Sequence, residues 1–266
     1  MAKKRPLTLI TGASSGIGLE FAKICAKEHH DLVLVARSKD ALKKIKKELE
    51  TTYKATIHII DQDLLEEKSV SSIEAKLKRK KLIINNLINN AGFGTSGLFE
   101  KLPLEKELSM ISLNCSKLVE LTHTFLPQVI KRKGRILNVA STAAFQPIPQ
   151  MSTYAATKAF VLSFSKALHE EVEPKGVSVT TLCPGPTKTN FDKVAGMDKS
   201  SLFSGPGVMD AQEVAQIGFD AMVNRQSHVV AGMQNKAGAL LTKLVPMSAS
   251  AKIAKKLMGK KWLFLR

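Results

Sequence analysis

The sequence predicts one doubly wound α/β domain: a seven-stranded parallel sheet flanked by helices, followed by a basic helical C-terminal extension. Three observations predict it. Short β-branched runs alternate with longer amphipathic segments along the 266 residues. Runs such as Leu32–Val35 are apolar throughout, as in strands covered on both faces. No internal repeat or low-complexity linker breaks the alternation. Parallel strands need crossover connections, almost always right-handed, so residues 1–266 read as a single unit with a core at 6–231.

The elements follow in chain order. Leu7–Thr11 reads as the first strand and Gly16–Glu28 as the first helix. Strand Leu32–Ala36 precedes helix Lys39–Thr51, and strand Ala55–Ile60 precedes helix Glu66–Lys78. Leu82–Asn89 is the fourth strand, with helices at Leu104–Asn114 and Lys117–Lys131 after it. Arg135–Val139 is the fifth, leading to a long helix at Ser152–Glu173. Val177–Cys183, helix Ala211–Asn224 and a short strand Ser227–Val230 complete the sheet. Residues 187–208 have no clear period and are rich in Gly, Ser and Lys. They follow the sixth strand, at the sheet edge where ligands bind in this architecture, and read as a substrate loop or lid. Residues 232–266 read as two helices separated near Pro246, with Ile253 and Leu257 on one face beside Lys252, Lys255 and Lys256.

Composition excludes several classes. A hydrophobic content of 44% is too high for disorder, and three cysteines (Cys25, Cys115, Cys183), odd in number and without a CxxC pair, are too few for a disulfide scaffold. They suit a reducing compartment. No run of about 18 apolar residues exists, and the basic start lacks the long apolar segment of a secretory leader, so a cytoplasmic protein is expected. The six histidines are scattered, with no HxxxH or HExxH, and no metal site is expected. Forty basic against 23 acidic residues give a net charge of +17. After Asp220 there is no acidic residue and there are nine basic ones, from Arg225 to Arg266. Such a one-sided tail suits an anionic partner, and peripheral contact with the inner membrane surface is expected from it. With 11 Phe, two Tyr, one Trp and no recognition motif, nucleic acid is not an expected partner.

Thr11-Gly-Ala-Ser-Ser-Gly-Ile-Gly18 joins the first strand to the first helix. Its glycines allow a tight turn and close approach of backbone to phosphate, and the helix N-terminus favours the pyrophosphate. Gly12-Ala-Ser14-Ser-Gly16 also fits the G-x-S-x-G elbow of hydrolases, but lies on the first strand with no partner His placed nearby. At the end of the second strand Ala36 stands where an acid would hold the ribose 2′-hydroxyl, and Arg37 follows. A cation without a neighbouring carboxylate suits the 2′-phosphate of NADP, so NADP(H) is expected in preference to NAD(H). Asp63, past the third strand, suits an adenine amino group. Tyr154 and Lys158 are one helical turn apart and share a face. A nearby ammonium is expected to lower the phenol pKa from about 10 and make Tyr154 a usable general acid or base. Ser141 ends the fifth strand, where its hydroxyl could hold a carbonyl oxygen.

The order of these parts, with Asn89-Asn-Ala-Gly92 after the fourth strand and Pro184-Gly185 with Thr189 after the sixth, resembles the short-chain dehydrogenase/reductase superfamily, a Rossmann-type fold. The resemblance runs over residues 7–231. It implies a catalytic tetrad of Asn114, Ser141, Tyr154 and Lys158, with Asn114 holding a proton-relaying water and Lys158 also binding the nicotinamide ribose. The cofactor contacts it implies are Gly12, Ser14, Ser15, Gly16, Ile17, Gly18, Arg37, Asp63, Leu64, Asn90, Ala91, Gly92, Tyr154, Lys158, Pro184, Gly185, Thr187 and Thr189. The stretch from Ile148 to Phe191 resembles a bacterial DltE-like, 3-oxoacyl reductase-like branch. A ketone or aldehyde, including a 3-oxoacyl or other lipid-like carbonyl, is the implied substrate, and a homodimer or homotetramer through the helices at 117–131 and 152–173 the implied assembly. Two other readings stay open from the residues: a catalytically silent NADP-binding regulator, and a membrane-surface or nucleic-acid-associated protein acting through its basic C-terminus. Asn114-Cys115-Ser116 also spells a glycosylation sequon, idle in a cytosolic chain.

Overall fold

The computed structural model describes residues 5–196, 207–244, 246 and 249–254. Seven strands form one parallel sheet: β1 (Leu7–Thr11), β2 (Asp31–Ala36), β3 (Ile57–Asp61), β4 (Asn86–Asn89), β5 (Arg135–Val139), β6 (Ser178–Cys183) and, after a two-stranded pair β7 (Thr187–Lys188) and β8 (Met209–Asp210), β9 (His228–Val230). The order is β3-β2-β1-β4-β5-β6-β9. It reverses between β1 and β4, and the crevice at their carboxyl ends is where ligands bind in open α/β sheets.

Both faces are covered, which explains the unbroken apolar strands. Ile10, Leu32 and Leu34 pack under α1 (Gly16–Lys27), α2 (Lys39–Tyr53) and α8 (Ala211–Val223) through Phe21, Leu42 and Phe219. Their chain neighbours Leu9, Val33 and Val35 point to the other side. There they meet Leu77 of α3 (Ser69–Arg79), Phe125 of α5 (Lys117–Lys131) and Leu168 of α6 (Ser152–Val172). This period-two alternation between two buried layers is what a parallel strand requires.

The structure moves several expected boundaries. β4 begins at Asn86 rather than Leu82, because the approach to it bonds irregularly: Asn85 N donates to Leu7 O (2.7 Å), Asn85 Oδ1 accepts from Leu7 N (3.0 Å), and Ile84 N donates to Gln128 Oε1 (3.0 Å). β3 spans Ile57–Asp61 instead of 55–60. α3 starts at Ser69 instead of Glu66, since Asp63–Glu66 forms a turn (Glu66 N to Asp63 O, 3.3 Å) and Ser69 Oγ donates to Leu64 O (2.9 Å). The two helices expected at 104–114 and 117–131 are one run. α4 (Leu104–Ile111) continues through a π-helical turn, Ser112–Ser116, into α5. Within the expected loop region 187–208, β7 and a short helix α7 (Phe191–Val194) form, and residues 197–206 lie outside the described residues. In the extension, α9 covers Met233–Leu244 and residues 249–254 are helical again after Pro246, whose carbonyl accepts from Ala249 N and Ser250 N; Leu257 lies outside the described residues. All three cysteines are buried and free, and among the described residues no helix is long and apolar enough to cross a membrane.

Candidate active site

The turn after β1 carries Gly12 at φ +64° and Gly16 at φ +55°, both in the left-handed region that glycine adopts without strain. A Cβ on Gly12 would lie 2.8 Å from Asn90 Nδ2 and 3.0 Å from Ala91 Cα, and one on Gly18 would collide with the Gly12 carbonyl. The backbone here is therefore packed to a closeness only glycine permits. Asn90 fastens the turn: its Nδ2 donates to Thr11 O (3.0 Å) and Gly12 O (3.2 Å). Thr11 Oγ1 in return accepts from Asn90 N and Ala91 N, each at 3.0 Å. This is the physical link between the glycine loop and the Asn89–Gly92 segment. α1 opens at Ser15 with no side-chain cap and no acid in its first turn. Its first N–H groups thus face the cavity side without an internal anion, and a pyrophosphate fits that end.

The loop forms one end of a cavity of about 500 Å³. Gly12, Ser14, Ser15, Gly16, Ile17, Arg37, Asp63, Leu64, Asn90, Ala91 and Gly92 line it from the β1–β4 side; Ser141, Tyr154, Lys158, Pro184, Gly185, Thr187 and Thr189 line it from the other. Two predicted residues, Gly18 and Asn114, stand behind that wall rather than on it. Arg37 is exposed at the rim. The acid opposite its strand end, Asp61, pairs with Lys39 (3.5 Å). A backbone hydrogen bond first, and then Lys39, hold that carboxyl below the usual range. Asp63 Oδ1 accepts from Leu65 N (2.9 Å), which fixes the carboxylate at the cavity edge.

At the opposite end Tyr154 and Lys158 lie one turn apart on α6, with Lys158 Nζ 5.7 Å from the centre of the phenol ring and donating to Val139 O (2.9 Å). Ser141 caps the 3₁₀ turn Thr142–Phe145; its Oγ accepts from Ala143 N (3.1 Å). The phenol titrates in the opposite sense to that expected from the Tyr154–Lys158 spacing. Burial pushes Tyr154 up to about 12, against a smaller downward pull from its hydrogen bond with Ser141. The reason is that Tyr154 and Lys158 are only 7% and 6% exposed, so desolvation outweighs their proximity. The same burial pulls Lys158 down to about 8.

Asn114 sits in the π turn, which places its side chain across to the loop after β4. Its Nδ2 donates to Phe93 O (2.9 Å) and Thr157 Oγ1 (3.1 Å), and its Oδ1 accepts from Phe93 N (3.1 Å). π turns recur at functional sites because they re-aim one side chain out of the helical register. A Cβ on Gly92 would stand 2.8 Å from Asn114 Oδ1 and 3.6 Å from Lys158 Nζ, so the absence of a side chain there keeps the two within reach of one space.

Several lining residues were not named from the sequence, chiefly Phe93 and Phe191, although Phe191 falls in the expected substrate-loop region 187–208. The Phe191 ring lies 5.5 Å from that of Tyr154, and a Cβ on Gly94 would meet Phe191 Cζ at 2.7 Å and Tyr154 Cδ2 at 3.0 Å. Their signal in the sequence is position alone: Phe93 follows Gly92 and Phe191 follows the Thr189 segment. Ser14 shows no hydrolase partner: neither His169, buried and tied to Val179, nor His228 on β9 lines the cavity. Among the described residues no group of three His, Cys, Asp or Glu could hold a metal.

Comparison with known proteins agrees with this geometry. A very-long-chain 3-oxoacyl-CoA reductase from Bos taurus is 34% identical over 191 residues, 70% of this chain; the match spans 61% of the relative's length. The ketoacyl reductase HetN from Nostoc sp. is 30% identical over 244 residues, covering 89% of this chain and 82% of that protein. The solved structure of a short-chain dehydrogenase from Sphingobium yanoikuyae in complex with NADPH superposes with a TM-score of 0.78 at 32% identity, covering 91% of this chain and 96% of that one. The sequence profile of the short chain dehydrogenase family matches residues 6–200, so the glycine loop, the Tyr154–Lys158 turn and six of the seven strands of the sheet fall inside the match, and this chain belongs to that family.

Proposed function

We propose that this protein is an NADP(H)-dependent oxidoreductase that reduces a ketone or aldehyde to an alcohol, with a 3-oxoacyl or similarly lipid-like carbonyl as substrate. One observation carries the reading: Ser141, Tyr154 and Lys158 line the same cavity as the glycine loop and Arg37. A nicotinamide dinucleotide phosphate, when bound, supplies the hydride. Arg37, exposed at the rim while Asp61 pairs with Lys39, is the residue that would hold its 2′-phosphate. The glycine loop and the N-terminus of α1 would hold the pyrophosphate, and Asp63 the adenine. The NADPH complex of the Sphingobium relative supports the choice of cofactor.

The chemistry of the chain's own groups follows from their burial. With a pKa near 12, Tyr154 keeps its proton at neutral pH and has it available for donation. Its Oη gives that proton to the carbonyl oxygen, while Ser141 Oγ holds the same oxygen and polarises it. Lys158 stabilises the phenolate that remains and contacts the nicotinamide ribose. Asn114 ties the loop after β4 to α6 and stations a water that returns a proton through Lys158.

The substrate class rests on the names of the bovine and Nostoc relatives and on the apolar wall of Phe93, Leu113 and Phe191 in the cavity. A homo-oligomer is supported by Leu104 (66% exposed) and Leu108 (55%) on α4 beside Phe160 (44%) on α6, an apolar surface that a second copy would cover. The three free, buried cysteines suit a reducing cytoplasm. The test is NADPH oxidation across medium-chain ketones, aldehydes and 3-oxoacyl thioesters, with Tyr154→Phe beside the wild type. Loss of the general acid should lower kcat by about 10²–10⁴ while NADPH still binds. Turnover unaffected by Tyr154→Phe would overturn the mechanism, and tight NADPH binding with no turnover on any carbonyl would favour a silent cofactor-binding regulator.

A further inference from the structure

α9 (Met233–Leu244) is turned inside out relative to an ordinary surface helix. Asn235, Ala239 and Thr242, at helical spacing i, i+4 and i+7, are the positions that face the protein and are buried or half-buried. The opposite face carries Met233, Ala237, Leu240 and Leu241, at i, i+4, i+7 and i+8. Met233 is 86% exposed, Leu240 61% and Leu241 62%. Lys236 is exposed along the edge of this stripe, and Ile253, 52% exposed, and Lys252 lie on the helical residues beyond Pro246. Apolar residues that gather on the solvent side of one helix mark a surface with a partner.

Charge selects the partner. After Asp220 the sequence has nine basic residues and no acidic one; of these, Lys236 at the edge of the stripe and Lys252 beyond Pro246 are exposed. A second copy related by a two-fold axis would bring these like charges together, whereas anionic lipid headgroups complement them while their acyl chains receive the stripe. We propose that α9 docks the protein on an anionic lipid bilayer, with Met233, Leu240 and Leu241 entering the interface and Lys236, at the edge of the stripe, facing the headgroups. The docking helix shares a wall with the cavity: Asn235 packs so tightly on Gly185, a cavity-lining residue, that a Cβ there would collide with its amide. A bilayer-partitioned substrate would thus reach the cavity from the docked end of the molecule. That corollary rests on the proposed activity; the docking itself does not.

The test is cosedimentation of the full chain with vesicles of phosphatidylcholine alone and of phosphatidylcholine with phosphatidylglycerol in equal parts, read without substrate or turnover. The expected result is binding to the anionic vesicles only, weakened by salt. Each cation at such a surface contributes about fivefold in partitioning, so Lys236→Glu should lower it by about tenfold or more. The double variant Leu240→Asp with Leu241→Asp should also lose at least about tenfold, with an unchanged melting temperature, because both side chains are exposed in the folded protein. Equal binding to both vesicle types, or binding indifferent to the Leu variants, would overturn the proposal. So would absence of vesicle binding together with a concentration-dependent assembly that the Leu variants abolish, which would assign the stripe to a second copy. Absence of vesicle binding with a lowered melting temperature in the Leu variants would equally overturn it, by showing that the chain covers its own stripe. None of these failures would touch the proposed oxidoreductase activity.

Discussion

Thr11→Val tests the joint on which the cofactor end of the cavity depends. The substitution is nearly isosteric and suits a buried strand, so its effect comes from the lost hydroxyl. Thr11 is 1% exposed, and its Oγ1 is the acceptor for two backbone N–H groups, those of Asn90 and Ala91, each at 3.0 Å. An unsatisfied buried donor costs about 1–3 kcal/mol, and two donors lose their acceptor here. Asn90 and Ala91 border the cavity, where water can reach them in part, so the sum is discounted to about 2–4 kcal/mol. For a domain of this size that corresponds to a fall in Tm of roughly 4–16 °C. Urea denaturation monitored by far-UV circular dichroism gives the free energy, and NADPH titration gives the functional effect, which should be a weakened affinity because Asn90 also clamps Gly12 O. Thr51→Val, which removes only an exposed i−4 bond in α2, is the control and should stay within about 0.5 kcal/mol. A Thr11→Val change as small as the control's would refute the assignment of this hydroxyl as the link between the two motifs.

Three further predictions follow from the same distances and titrations. Gly94→Ala should lower kcat/KM for carbonyl reduction by at least about tenfold with little change in NADPH affinity, since its Cβ would press on Tyr154 and Phe191 rather than on the glycine loop; steady-state kinetics with a fluorescence titration separate the two. The reduction rate should hold near neutrality and fall as pH rises through about 8, where Lys158 loses its proton, and the limb should move or vanish in Lys158→Met; a rate that stays flat to pH 10 would contradict the role given to the ammonium. Burial lowers His30 to about 4, below its value of about 6.5 in the unfolded chain, so its contribution to stability is full above about 6.5 and is lost as pH falls from there toward 4. That loss, on the order of 2–3 kcal/mol, should shrink in His30→Gln when urea midpoints are compared across that window.

Much of the fold was legible because its signals are local. The apolar runs of β1 and β2, the glycine turn between them and the one-turn spacing of Tyr154 and Lys158 are properties of a few adjacent residues, and the structure keeps them. What sequence did not reveal depends on distant partners. Leu82–Asn85 has strand composition, yet its polar groups pair with Leu7 and Gln128, so the ladder begins only at Asn86. The π turn at Ser112–Ser116 interrupts no pattern of apolar residues, and its purpose, to aim Asn114 at Phe93, is visible only once the loop after β4 is in place. The sign of the Tyr154 shift turns on burial, which the Tyr-x-x-x-Lys spacing does not encode. Phe191 falls in the substrate-loop region 187–208 read from the sequence, but neither it nor Phe93 lies in a segment with a period, so which side chains wall the cavity was not legible. Met233, Leu240 and Leu241 have the spacing of a buried face, and only the packing of Asn235 and Ala239 shows that theirs is the outward one.

One cavity joins the glycine loop to Tyr154, and in the proposed function Arg37 at its rim chooses the phosphorylated cofactor. Titration of the purified protein with NADPH and with NADH, followed by nicotinamide fluorescence and repeated on Arg37→Ala, addresses this reading most directly. A charge-assisted guanidinium–phosphate contact is worth about 1.5–3 kcal/mol, so the account predicts that NADPH binds at least about tenfold more tightly than NADH and that Arg37→Ala removes the difference while leaving NADH affinity nearly unchanged. Equal affinity for the two nicotinamides in the wild type would contradict the role of Arg37, and binding of neither would contradict the assignment of the cavity itself.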